Sequence, residues 1–408
     1  MTAPSLTPLE AARALAPLVE GAAAKAEAAR ELTVDVVDAL HETRLFGVLV
    51  PSELGGLGGD ILTALDVFEE LSRQDGSTGW SAMAGATSTA FGAVYTSDAA
   101  VRELFADGVP VMAGQLAPRG RAVRIAGEAG AAGIAGGAGA AGAFQVTGDY
   151  SFGSGADHAT HLTGGCLELV DGAPVMRPNG MPEIRAVIVP RSGVELRGNW
   201  DVMGLSATSS VDYHIPETTL DAGYTFSIFD ESPQRGTAVH RLGVMTITAA
   251  GHAGFALGLA RRALDEIAAL AESKVRLGDV RLAEQQAFLT EYARAEGKVR
   301  GARAFVHDAF GRAQDAVAAG AEQTAELRQL TRLATSWGTE ACAEAVEWAY
   351  RESGSDGLRT GSALGRCFRD MYAGTQHLFV SRKTLVDAAA TLLPLASARR
   401  AASTHAPS

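Results

Sequence analysis

Arg369-Asp370-Met371-Tyr372-Ala373-Gly374-Thr375-Gln376-His377, near the C-terminus of this 408-residue chain, is the stretch from which the fold can be read. His377 brings an imidazole able to titrate near neutrality, whereas the methyl group of Ala373 cannot accept a proton. The stretch lies inside a helical segment, 362–393, and three more precede it at 239–273, 281–317 and 324–353, punctuated by Gly278, Gly320 and the glycines of 354–361. Four such helices most simply form an antiparallel bundle. Further out, β-prone runs at 123–125, 144–147, 186–189 and 211–215 alternate with Gly, Pro and Asn clusters. Before them, Val34, Val37, Leu40, Leu45 and Phe46 fall at helical spacing, and Pro51 with the glycines up to Gly59 interrupts the pattern. Ile61, Leu62, Leu65, Phe68 and Leu71 restore it behind Asp60 as N-cap, and helices are expected at 80–95 and 98–105. The expected architecture is α+β: an all-α domain over 1–111, a β domain over 112–235, a four-helix bundle over 236–398 and a disordered tail over 399–408. The Gly/Ala tract 127–142 reads as a flexible hairpin insertion without a functional role.

Composition narrows the function classes. With 47% hydrophobic and 20% charged residues the chain reads as soluble and globular, and its net charge of −12 opposes a general nucleic-acid or anionic-membrane surface. Glu10, Arg13, Glu20, Lys25 and Glu27 break up the N-terminal alanines, so no signal sequence is expected, nor is an uninterrupted apolar run of membrane-spanning length. Cys166, Cys342 and Cys367 fit no metal spacing and suit a reducing cytosol. A Ser-His-Asp order, a Walker A loop and a Rossmann G-x-G-x-x-G after a strand are missing from the sequence. Of the nine histidines, His41, His240, His252, His307 and His405 have no motif context, and His161 and His214 alternate into strands, so core or surface roles are expected for these seven.

Four further stretches share the informative character of 369–377. They are Val146-Thr147-Gly148-Asp149-Tyr150-Ser151-Phe152-Gly153-Ser154-Gly155-Ala156-Asp157-His158-Ala159, Trp200-Asp201-Val202-Met203-Gly204-Leu205-Ser206-Ala207-Thr208-Ser209-Ser210, Ser77-Thr78-Gly79-Trp80, and Met112-Ala113-Gly114-Gln115-Leu116-Ala117-Pro118. Together they resemble the acyl-CoA dehydrogenase superfamily, and more closely its group D two-component flavin monooxygenases. The 369–377 stretch resembles the RDA…YEGT segment whose Glu takes the α-proton of an acyl thioester, with Ala373 in the place of that Glu. The resemblance implies Ser154 at flavin N5, Phe152 beside the isoalloxazine, and Gln115, Ser209 and Ser210 as further flavin contacts. Ser206 stands where the family commonly has Arg. Lys274 and Arg276 sit where dehydrogenases carry a phosphate-binding R-x-x-F-G, and Arg369 is a further phosphate candidate. Gly354-Ser355-Asp356-Gly357 resembles the loop over the adenosine side, leaving FAD and FMN both open. Trp80, His158, Tyr372 and Ala373 would line the substrate pocket. His377 would act as general base, or as hydrogen-bond donor to the substrate heteroatom or the distal peroxide oxygen.

The implied activity is hydroxylation of a phenol- or indole-type substrate, such as a natural-product intermediate, by reduced flavin (FADH2 or FMNH2) and O2 through a C4a-hydroperoxide. A separate NAD(P)H-dependent flavin reductase would supply the reduced flavin, and the oxygenase would be a cytoplasmic homotetramer. Open alternatives are N- or S-oxygenation of an amino sugar or thiophene, an acyl-CoA dehydrogenase with its base relocated to Glu291, Glu296 or Glu340, and an inactive binding scaffold.

Overall fold

The computed structural model describes residues 6–125, 142–276 and 279–404. Six helices come first: α1 Pro8–Ala14, α2 Ala16–Ala29, α3 Val34–Glu42, α4 Ile61–Gln74, α5 Gly76–Tyr95 and α6 Asp98–Leu104. Asp60 caps α4 as its position predicts, its Oδ1 accepting from Thr63 N–H at 2.8 Å. Asp75 turns the chain between α4 and α5, where its carboxylate accepts from Thr78 N–H at 2.9 Å.

Eight strands follow: β1 Met112–Ile125, β2 Ala143–Gly153, β3 His161–Val170, β4 Ala173–Pro174, β5 Ile184–Pro190, β6 Glu195–Leu196, β7 Val211–Asp221 and β8 Thr225–Ser227. Their order is β6-β7-β2-β1-β3-β5-β8, with β4 beside β3. Among the described strands only β1 and β3 run parallel. All four β-prone runs lie within strands. The Gly/Ala tract falls, apart from Gly142, outside the described residues, and the strands flanking it pair antiparallel with Ile125 opposite Ala143.

The C-terminal part contains α7 Gly243–Ser273, α8 Gln286–Ala318, α9 Ala325–Ser353, α10 Ala363–Gly374 and α11 Arg382–Thr404. Helix α7 is the centre of the molecule. Contrary to the expectation from sequence, it is long and apolar enough to span a membrane, yet 89% of its most apolar stretch is buried inside the protein, so it is a core helix. It carries the N-terminal helices directly: at Gly258 an added Cβ would collide with the Glu69 carbonyl of α4.

Two expectations are corrected here. The segment 362–393 is not one helix, because α10 stops at Gly374 and a short 3-10 turn, Leu378–Val380, intervenes before α11. Gly374 lies against Phe255 of α7 so closely that any Cβ there would strike the ring. His377 therefore sits in a turn rather than on a helix. Helix α11 also continues to Thr404 through the segment expected to be disordered, and 405–408 lie outside the described residues.

Candidate active site

One wall of the site is helical. Trp80 of α5 is buried between α7 and the turn after α10. Its indole meets Phe255 edge-on at 4.9 Å, His252 at 5.1 Å and His377 at 5.8 Å between ring centroids. His252 and His377 lie 4.1 Å apart, and Phe379 stacks on His252 at 5.3 Å. Burial in this aromatic box holds His377 down to about 4, and burial followed by the His377 charge pushes His252 well below the ordinary imidazole range. Both rings are therefore neutral at physiological pH.

His377 Nδ1 accepts the Phe379 N–H at 3.3 Å, which leaves the ring proton on Nε2. Of the two roles expected for His377, the geometry supports the hydrogen-bond donor. No side-chain hydrogen bond of His252 is found among the described residues, and its ring is held by contacts to Trp80, His377 and Phe379. Sequence reasoning assigned His252 to the core, and a lone histidine in an Ala/Gly-rich helix gave no signal to the contrary.

The opposite wall is the turn after β2 together with the segment before β7. Trp80 Nε1–H donates to Ser154 Oγ at 3.0 Å and so joins the two walls directly. Behind Ser154, hydroxyl contacts continue to Ser210 Oγ at 2.7 Å and from there to Thr208 Oγ1 at 2.6 Å. Three non-glycine residues adopt left-handed backbone here: Phe152 (φ 62°), Leu205 (φ 54°) and Ser209 (φ 44°). Such clustering of backbone strain is typical of binding sites. The turn leaves the Phe152 ring 62% exposed, with Trp200 edge-on at 6.2 Å. Ser209 donates to Asp157, and Ser210 stands one hydrogen bond behind Ser154.

Other expected site residues are placed more variously. Gln115 gives its backbone N–H to Tyr213 Oη at 2.8 Å, while its side-chain oxygen is sealed in without a partner. His158 packs on Phe46 at 5.7 Å, its Nε2 also unpartnered and its pKa driven down to about 4, by burial first and His41 second. Tyr372 donates to Glu347 of α9 at 2.8 Å and lies tilted against Phe368 at 4.7 Å, so the structure does not bring it to Trp80. Ala373 is half-buried at the end of α10 beside Gly374. The three basic residues expected at flavin phosphates are all engaged within the chain. Lys274 Nζ contacts Asp356 at 2.5 Å and the Ser353 carbonyl at 2.8 Å. Arg276 bonds the Glu352 carbonyl at 2.7 Å and its carboxylate at 3.0 Å. Arg369 pairs with Glu27 of α2.

The isoalloxazine end of a flavin fits what is present: an exposed aromatic ring at Phe152, an orphaned acceptor at Gln115 and a hydroxyl at Ser154. At the phosphate end Lys274, Arg276 and Arg369 would have to be drawn from their acidic partners.

Residues 10–103 match the family model for the acyl-CoA dehydrogenase N-terminal domain, and residues 250–382 match that for the acyl-CoA dehydrogenase C-terminal domain. The indole-3-acetate monooxygenase of Pseudomonas putida is 27% identical, with 88% of this chain and 87% of the relative aligned. The oxygenase subunit HsaA of a flavin-dependent monooxygenase from Rhodococcus jostii is 25% identical, over 89% of this chain and 92% of its own length. Among solved structures, XiaF from Streptomyces sp. in complex with FADH2 and glycerol superposes with a TM-score of 0.84 at 19% identity, covering 95% of each chain. The chain belongs to the acyl-CoA dehydrogenase superfamily. Within that superfamily it falls in the branch of the two-component flavin-dependent monooxygenases.

Proposed function

We propose that this protein is the oxygenase component of a two-component system that hydroxylates a phenol- or indole-type aromatic substrate, with reduced flavin supplied by a separate NAD(P)H-dependent reductase. The observation that carries this reading is the closed box of Trp80, His252, His377 and Phe379 facing Ser154, with a methyl group at residue 373 where a dehydrogenase needs a carboxylate. Reduced flavin held beside Phe152, Gln115 and Ser154 would supply, with O2, the electrophilic oxygen. The chain's own residues do the rest. Aromatic and imidazole rings exclude water, His377 offers Nε2–H to an oxygen or nitrogen of the bound reactants, and His252 offers a lone pair to a substrate O–H or N–H.

The relocated-base alternative finds little support. Glu291 pairs with Arg294 on the surface of α8, Glu296 is held by Arg261 and Arg300, and Glu340 is exposed on α9. We also propose a homotetramer, consistent with exposed Trp337, Leu378, Val386 and Leu393 on the bundle, and a cytosolic location, consistent with three buried free thiols. The test is rapid mixing of protein, reduced flavin and O2 with indole or a simple phenol. Hydroxylated product stoichiometric with reduced flavin is expected. Anaerobic bleaching of oxidised flavin by an acyl-CoA, with no O2 uptake, would overturn the proposal.

A further inference from the structure

The hydroxyls behind Ser154 form a chain whose proton order is fixed from one end. Thr208 Oγ1 lies 2.7 Å from the Leu205 carbonyl, which can only accept, so the single Thr208 hydroxyl proton points there. Thr208 therefore accepts from Ser210 across their 2.6 Å contact. With its proton so used, Ser210 accepts from Ser154 across 2.7 Å. At the far end Trp80 Nε1, which can only donate, gives its proton to Ser154 at 3.0 Å. Ser154 has thus spent its proton and one lone pair, and a second lone pair is all it has left to offer. The end stop is itself held firmly. Leu205 donates its N–H to Asp370 Oδ1 at 2.6 Å, and its carbonyl also takes Trp200 Nε1–H at 3.2 Å.

We propose that Thr208 and Ser210 make Ser154 an obligate acceptor and thereby set how strongly the site favours flavin whose N5 bears a proton, the reduced form, over oxidised flavin, whose bare N5 is itself an acceptor. The inference rests on the flavin reading above and deepens it. Thr208 and Ser210 are positioning residues, setting the direction of a bond that Ser154 makes. An oxygenase that receives reduced flavin by diffusion and must discard oxidised flavin gains from this arrangement, because facing two acceptors forfeits one hydrogen bond, about a tenfold loss in affinity.

The test compares dissociation constants of FMN and FAD, each oxidised and, under anaerobic conditions, reduced, together with the midpoint potential of the bound flavin. Wild-type protein is expected to bind the reduced form at least about tenfold more tightly. Thr208→Val removes the end stop, freeing Ser210 to turn and Ser154 to donate, and Ser210→Ala frees the Ser154 proton directly. In each the preference falls about tenfold, a shift of about 30 mV for a two-electron couple. Thr208→Ser keeps the hydroxyl and restores the preference. Should Thr208→Val fail to fold, Ser210→Ala alone decides the matter. Equal wild-type affinities, or a preference that survives both substitutions while flavin still binds, overturn the inference. Binding of neither flavin in either state overturns the flavin reading itself.

Discussion

The two walls of the site solve opposite problems with similar groups. On the sheet side Ser154, Ser210 and Thr208 are joined to one another and to Trp80 and Leu205, so the polarity of that surface is settled before anything binds. On the helical side His252 and His377 lie 4.1 Å apart among aromatic rings, with a single backbone contact between them. Imidazole nitrogens set among aromatic rings gain from a polar partner more than they would in water. The sheet wall thus reads as a template for a fixed cofactor, and the helical wall as a receptor still waiting for its substrate.

The sharpest way to break that contrast is His377→Ala. Product formed per reduced flavin should drop by on the order of a hundredfold or more, as for loss of a positioned proton donor, while reduced-flavin affinity, measured separately, stays near wild type. An equal loss of both would move His377 to the cofactor wall. Ser154→Ala should act the other way, raising hydrogen peroxide release relative to product. It also strands the Trp80 N–H, lowering stability in denaturant titrations by about 1–3 kcal/mol. Unchanged coupling would remove Ser154 from the chemistry. For His252→Phe the stack is kept but the lone pair is lost, so KM for a phenol or indole should rise about tenfold. A constant KM would return His252 to the core.

The smallest expected effect concerns pH. Asp370 is fully enclosed, and burial, then the Asp75 charge, pushes its carboxyl up to about 7. The folded state therefore holds a proton that the unfolded chain releases above about pH 4, and this contribution to stability fades as pH rises from about 4 to 7. His377 and His158, both held to about 4, work in the opposite sense, and their contribution is lost as pH falls from 6.5 to 4. Asp370→Asn should make stability decline more steeply on acidification, and His377→Ala less steeply, each by at most about 1.4 kcal/mol per pH unit. Chemical denaturation between pH 4 and 7 reads both slopes, and identical slopes in all three proteins would contradict the assignments.

Local features were legible in the sequence where their causes are local. Asp60 caps α4 through a neighbour three residues away, and the β-prone runs are strands because their side chains suit a half-buried pleated surface. Long-range pairing was not legible. Arg369 looked free to meet a phosphate, but its partner Glu27 lies 342 residues earlier. The break after α10 was hidden because it depends on Phe255, supplied by another helix. His252 escaped notice for the same reason, since only the packing of α7 against the turn at His377 gives it a neighbour. Ser210 stands one hydrogen bond behind Ser154, and register alone cannot say which of several hydroxyls is in front.

The Glu27 carboxylate of α2 reaches both Arg369 and Arg366 of α10. During synthesis on a ribosome, some 340 residues must emerge before the first partner in that clasp meets the second. The nascent N-terminal helices thus wait with an acidic grip held open until α10 emerges to close it.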